Sequence, residues 1–370
     1  MKLALKIVFG IIAVGFLAVV LIIRLPSIFD RFKVGYVELP SNHKSKVLPV
    51  SINELPLQKD WLMGTDKPLK KERIDKFFAS SNTVGFLVMH KDTIVYQQYL
   101  DRCGKSEVTQ IFSVTKALVV PLLGIAIKEG FIKDIHQKVV DILPDFPRNQ
   151  NSLKLTLSDL VQMTSGINQD EYGDILSTLA FYFERNINKK IASIQFQYPP
   201  GEKFVYKSID TQILSLCIEH ATKKPLYTYF YEKIWSHIGP EDPTFFSLDS
   251  REWKNPKYYG GLNTSPRDLA KYASLVMHDG ILNGDTIVPP GWLNYCDIPE
   301  NRKENSLYCL GWWYDMDDTM QNVYYGAGFG GQIMFINESA QTAVIRLGTS
   351  KGGVNWYPIL KRLSNMYTQN

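Results

Sequence analysis

The stretch Gln110-Ile111-Phe112-Ser113-Val114-Thr115-Lys116-Ala117-Leu118-Val119-Val120 decides how this chain is read. Apolar residues at helical spacing begin at Val114 and run to Lys128, and Gly130 is the stop signal. On that helix Ser113 and Lys116 stand three residues apart and share a face. A lysine amine beside a serine hydroxyl takes its proton only when neutral. Ile111, Phe112 and Ala117 to Val120 supply the desolvation that disfavours an ammonium. The competing reading is a helix cap at Ser113 with a solvated lysine one turn on. Ser41-Asn42-His43-Lys44 has the same spacing but sits in a polar stretch beside Pro40, without a core to bury it.

A second group lies 93 residues on, where Pro199-Pro200-Gly201-Glu202 ends and a helix over 208–223 begins. Tyr206 there offers a phenol that relays a proton between nucleophile and leaving group, and Ser208 offers a donor for a substrate carbonyl. Ser208 as a plain helix cap is compatible with that role. Lys207, between them, is expected to point to solvent. Tyr272-Ala273-Ser274 repeats the letters inside another helix and is set aside.

The third group is Gly326-Ala327-Gly328-Phe329-Gly330-Gly331-Gln332. Its glycines match GxGxxG, but a dinucleotide site needs a helix next, and Gln332 to Ile336 reads as a strand. Glycines entering a strand allow close backbone approach, so Gly328, Phe329 and Gln332 are candidates for oxyanion and substrate binding. A tight hairpin turn is the alternative.

Around these groups the chain alternates. Val84–His90 and Thr93–Leu100 read as a hairpin about Lys91-Asp92. Thr156 with Asp159 caps a helix, Pro225 opens another, and Ser265-Pro266-Arg267-Asp268 starts a third that ends near Gly280. Strands follow at Tyr308–Tyr314, Gln332–Asn337 and Thr342–Gly348, then a helix over 355–367. The order strands, helices, strands, helix predicts an α+β fold. One antiparallel sheet is built from both chain ends, flanked by helices, with a mainly helical insert between.

The 370 residues are 45% hydrophobic and 21% charged, which is ordinary globular composition. Forty-one Lys and Arg against 37 Asp and Glu leave +4, too weak a surplus for a nucleic-acid footprint. There is no GxSxG elbow, HExxH or Walker loop, and the six histidines show no metal spacing, so neither metal nor cofactor is expected. The four cysteines show no CxxC pattern, and Cys217 has the position of a buried thiol.

One segment departs from the average. Leu3–Ile23 carries only Lys6 as a charge and is about long enough to cross a bilayer. Arg24-Leu25-Pro26-Ser27 makes a poor cleavage site, so an uncleaved anchor over residues 1–30 is preferred to a signal peptide. Residues 31–72 read as a spacer or wrapping arm, and 73–370 as the folded domain. Flanking charges do not set the orientation.

Together the three groups resemble the serine β-lactamase and penicillin-binding-protein superfamily, nearest to its class-C-like branch of esterases and 6-aminohexanoate-dimer hydrolases. That branch is marked by S-x-x-K, Y-x-N or Y-x-S, and a glycine-rich third box. Leu155 to Gly166, Tyr198 to Gly201 and Gly260 to Leu269 add supporting stretches, so the resemblance covers about residues 75–368. It implies acylation of Ser113, general-base and general-acid work shared by Lys116 and Tyr206, and an oxyanion hole from the N–H groups of Ser113 and the Gly328–Phe329 region. It also implies a small-molecule substrate and a catalytic domain outside the cytoplasmic membrane, in the periplasm or on the outer face. The third box reads Gly326-Ala327-Gly328 where β-lactamases and D-Ala peptidases carry a cation. That favours an ester or linear amide over a β-lactam or peptidoglycan stem. A penicillin-binding peptidase and a non-catalytic sensor domain are the alternatives. Tyr172, Phe181, Tyr182, Tyr258, Tyr259, Trp312 and Trp313 either line a cleft or fill the core.

Overall fold

The computed structural model describes residues 35–40, 44, 46–51, 54–100, 108–169, 171, 173, 175–290, 292–293, 308–314 and 323–367. Leu3–Ile23 lies outside them. Among the described residues no helix is long and apolar enough to cross a membrane.

The chain opens with strand β1 (Tyr36–Glu38) and helix α1 (Lys71–Ser80), then the hairpin β2 (Thr83–His90) and β3 (Thr93–Tyr99). Lys91 (φ 46°) and Asp92 (φ 58°) both sit in the left-handed region, the two-residue turn whose twist matches the strands it joins. Strand β4 (Thr109–Gln110) leads into a single 3₁₀ turn, Phe112–Val114, and helix α2 (Thr115–Val119). The expected helix to Lys128 is broken. Pro121 has no N–H to donate and crowds the preceding turn, so a separate helix α3 (Leu122–Lys128) follows.

The insert continues through α4 (Val139–Ile142), α5 (Leu157–Val161), α6 (Ile175–Tyr182), α7 (Ile187–Ala192) and α8 (Ser208–Thr222). Helix α9 (Leu226–Phe230) runs on through a π turn to Ile238. Strands β5 (Phe245–Ser247) and β6 (Leu262–Thr264), helix α10 (Pro266–Met277) and the small ribbon of β7 (Ile281–Leu282) with β8 (Asp285–Thr286) complete it. The C-terminal part supplies β9 (Tyr308–Cys309), β10 (Trp312–Tyr314), β11 (Val323–Gly328), β12 (Gln332–Asn337), β13 (Thr342–Gly348) and α11 (Trp356–Asn365).

The main sheet has seven strands in the order β3-β2-β13-β12-β11-β10-β9, all antiparallel, so both chain ends build it as the sequence implies. Its two faces are both covered. Phe86, Val88 and Val344 pack with Ile74 and Phe78 of α1 and Trp356 and Leu360 of α11. Leu87, Met89 and Ile345 pack with Leu269, Tyr272 and Val276 of α10. A strand buried on both faces reads as a continuous apolar run, which explains Phe86 to Met89. A four-stranded sheet, β1-β5-β6-β4, joins the arm to the insert.

The stretch Tyr308–Tyr314 is a hairpin rather than one strand. Leu310 (φ 49°) and Gly311 (φ 92°) form a left-handed turn, and Gly311 sits so close to α2 that a Cβ there would lie 2.7 Å from the Lys116 carbonyl. Thr156 and Asp159 make a reciprocal capping box on α5, and Ser265 caps α10 through the Asp268 N–H at 3.3 Å.

Candidate active site

Ser113 is placed by three elements. Strand β4 pairs with β6, and the Ile111 N–H donates to the Leu262 carbonyl at 3.0 Å. The chain then turns sharply at Phe112, whose φ of 48° is unusual for a residue with a Cβ, so the backbone beside the serine is held in a strained conformation. Ser113 follows on the 3₁₀ turn, half-buried, and Lys116 follows on α2, fully buried. From the far side the end of β11 closes in. A Cβ on Gly328 would lie 2.3 Å from the Ile111 carbonyl, so only glycine fits there.

Lys116 Nζ is the centre of the cluster. It lies 2.9 Å from Ser113 Oγ, 2.9 Å from Ser208 Oγ and 2.8 Å from the Tyr259 carbonyl. Burial pushes its pKa down to about 8, with the Glu171 carboxylate acting in the opposite direction. Its ammonium stands 5.2 Å from the centre of the Tyr206 ring. Tyr206 is buried, stacked on Trp313 at 5.2 Å and edge-on to Tyr308 at 5.1 Å, so the β9–β10 hairpin holds the phenol in place. The Ser113–Lys116 pair and the Tyr206–Ser208 pair, about 90 residues apart in sequence, are thus brought together.

Two expectations need correction. Lys207 is buried, not solvated: it occupies the N-cap position of α8 in an extended conformation, and its Nζ donates to the Ile167 carbonyl at 3.0 Å. Ser208 is consequently the first helical residue rather than the cap. Gln332 is not offered to a substrate by its side chain. That side chain is buried and spans to β13, donating to the Gly348 carbonyl (2.7 Å) and accepting from the Gly348 N–H (3.1 Å), so both ends of the amide are used for strand register. Gly328 lies against Ile111 and Phe112, the two residues before the serine, and faces Gln332 across the β11–β12 hairpin, while the Phe329 ring meets that of Phe112. The turn reading of this glycine-rich segment is observed, with Gly330 (φ 76°) and Gly331 (φ 82°) in the left-handed region.

Sequence reasoning missed Glu171 and Asp210. Glu171 accepts the Ser208 N–H through Oε1, and no motif marks it. Asp210, fully buried on α8, accepts from Ser165 Oγ at 2.6 Å while its Oδ2 has no hydrogen-bond partner. Burial raises its pKa to about 7, against the pull of Lys207 and Ser165. Its signal was present in part, as an acid in the first turn of a helix. Of the aromatics, Phe181, Tyr258, Tyr259 and Trp312 are buried in the core, Tyr182 and Trp313 border the site, and Tyr172 lies outside the described residues.

The profile of the Beta-lactamase family matches residues 72–357. The chain belongs to the beta-lactamase family. Among the relatives of this family member is the 6-aminohexanoate-dimer hydrolase of Paenarthrobacter ureafaciens, 20% identical over 335 residues that cover 84% of this chain and 82% of that protein. A Bacillus anthracis structure assigned as a 6-aminohexanoate-dimer hydrolase superposes with a TM-score of 0.76 at 22% identity, covering 92% of this chain and 91% of that one. EstCE1, a hydrolase with promiscuous acyltransferase activity, superposes at 0.63 with 14% identity over 80% and 97% of the two chains. At these identities the superpositions establish the beta-lactamase α+β fold.

Proposed function

We propose that this beta-lactamase-fold protein is a serine hydrolase that cleaves an ester or linear amide through an acyl-enzyme on Ser113. The observation that carries the reading is the fully buried Lys116 amine at 2.9 Å from Ser113 Oγ. An ammonium satisfies its three acceptors with three protons. A neutral amine has two protons and one lone pair. The Tyr259 carbonyl only accepts, so on deprotonation it is a hydroxyl that must reverse, and Ser113 then points its proton at the lone pair. Ser113 Oγ attacks the substrate carbonyl carbon as that proton passes to Lys116. The N–H groups of Ser113 and Phe329 receive the developing oxyanion. Collapse breaks the bond to the leaving group, which takes a proton by way of Lys116 and Tyr206. Water then attacks the acyl carbon, gives its proton back along the same route, and releases the acid and free Ser113.

A fluorophosphonate probe is expected to label the protein, and Ser113→Ala to abolish both labelling and turnover. Labelling retained in that variant would remove Ser113 from the mechanism. The similarity to a relative named as a 6-aminohexanoate-dimer hydrolase and to a hydrolase with promiscuous acyltransferase activity supports the substrate class. Gly326-Ala327-Gly328 offers no side-chain cation for a β-lactam or peptide carboxylate, and a stable adduct with fluorescent penicillin would reverse that choice.

The same proposal places the domain outside the cytoplasmic membrane, tethered by Leu3–Ile23. Support comes from the length and charge of that segment. A C-terminal reporter that is active only when translocated is the expected readout.

A further inference from the structure

An aromatic group flanks the nucleophile and plays no part in the proton transfers. Phe112, the residue before Ser113, meets the Phe329 ring edge-on at 5.6 Å and the Tyr182 ring at 6.0 Å. Tyr182 in turn meets Phe183 edge-on at 5.2 Å. Phe183 and Phe329 are each 45% exposed, though a ring left in water forgoes the gain of burial. The base of this ridge is fixed. The Tyr182 hydroxyl lies 2.8 Å and 3.1 Å from the two ends of the buried Gln110 amide, and the buried Lys257 ammonium covers the Tyr182 ring at 4.3 Å. A contiguous, anchored, half-exposed apolar edge beside a reactive group marks a ligand-binding surface.

We infer that this ridge binds an uncharged apolar acyl chain, and that Phe183 and Phe329 set the preference for its length. The inference rests on the acyl-enzyme reading of Ser113. The leaving group has to face the proton donors Lys116 and Tyr206. The acyl chain is left to Phe112 and Phe329, which approach the serine from the residue before it and from the strand end after Gly328. Nothing in Gly326-Ala327-Gly328 rewards a charged acyl group.

The test uses p-nitrophenyl esters of one leaving group and acyl chains from two to eight carbons. In the native protein kcat/KM is expected to rise about fourfold per added methylene until the ridge is covered. Phe329→Ala and Phe183→Ser are expected to cut the octanoate-to-acetate ratio roughly tenfold each, and Phe329→Leu to restore part of it. Both side chains are half in water, so the fold tolerates their loss. A flat or falling series in the native protein, or a ratio unmoved in both variants, overturns the inference. The two readings fail differently. Fluorophosphonate labelling with acetate turned over but no chain-length preference sinks the ridge alone. Neither labelling nor turnover sinks the hydrolase and the ridge with it.

Discussion

Lys116 is fully buried with three acceptors within 2.9 Å, so in the proposed mechanism its protonation state governs the nucleophile Ser113. With its pKa lowered to about 8, the ammonium dominates below that pH and the amine above it. Hence kcat/KM is expected to climb with pH along a limb centred near 8, read from initial rates between pH 6 and 10. Lys116→Arg keeps the charge and loses the base, because a guanidinium does not deprotonate, and should lower kcat by roughly a hundredfold or more. Asp210 carries the opposite kind of signal. Its folded pKa is raised from 3.8 to about 7, so between those values the folded state binds more protons than the unfolded one. Stability contributed by this group therefore falls as pH rises from about 4 to 7. Asp210→Asn should flatten the melting-temperature curve across that window, and an unchanged slope would remove Asp210 as its source.

Short elements carry the site, and each is set by a local device. Helix α5 begins at the Thr156–Asp159 capping box, with Thr156 N–H to Asp159 Oδ2 at 3.0 Å and Asp159 N–H to Thr156 Oγ1 at 3.3 Å. Thr156→Ala should cost about 1 kcal/mol and lower the melting temperature by roughly 2 °C in a thermal scan. These devices were legible in the chain: the caps of α5 and α10, the Lys91-Asp92 turn and the strands β12 and β13 all follow from neighbours within a few residues. The apolar spacing across the break before α3 reads as one continuous helix, although Pro121 marks it. The Leu310–Gly311 turn was not legible, because leucine disfavours a positive φ and only the packing of Gly311 against α2 imposes it.

The whole molecule brings a sheet made by both chain ends against a helical insert, and the site lies on that seam. Arg346 shows how firmly the sheet side is fixed. Fully buried, its guanidinium donates to the carbonyls of Ser81 (2.8 Å), Gly331 (2.5 Å) and Ser350 (2.9 Å) and stacks 4.5 Å from Trp356. At the seam, Gly328→Ala would drive a Cβ into the Ile111 carbonyl and push β11 away from Ser113. Circular dichroism should show the fold retained while kcat/KM falls about a hundredfold, the cost of misplacing a reacting group by an ångström. By itself the sequence determined the α+β class, the sheet of two chain ends, and the serine, lysine, tyrosine and serine that meet at the site, because residue type and short spacing encode local structure and intrinsic chemistry. Only the tertiary structure decided that Lys207 is buried, that Gln332 serves strand register, that Glu171 accepts the Ser208 N–H and that Asp210 is buried against Ser165. Each of those facts depends on what packs across a gap of many residues, and burial and hydrogen-bond partners are properties of the packed whole.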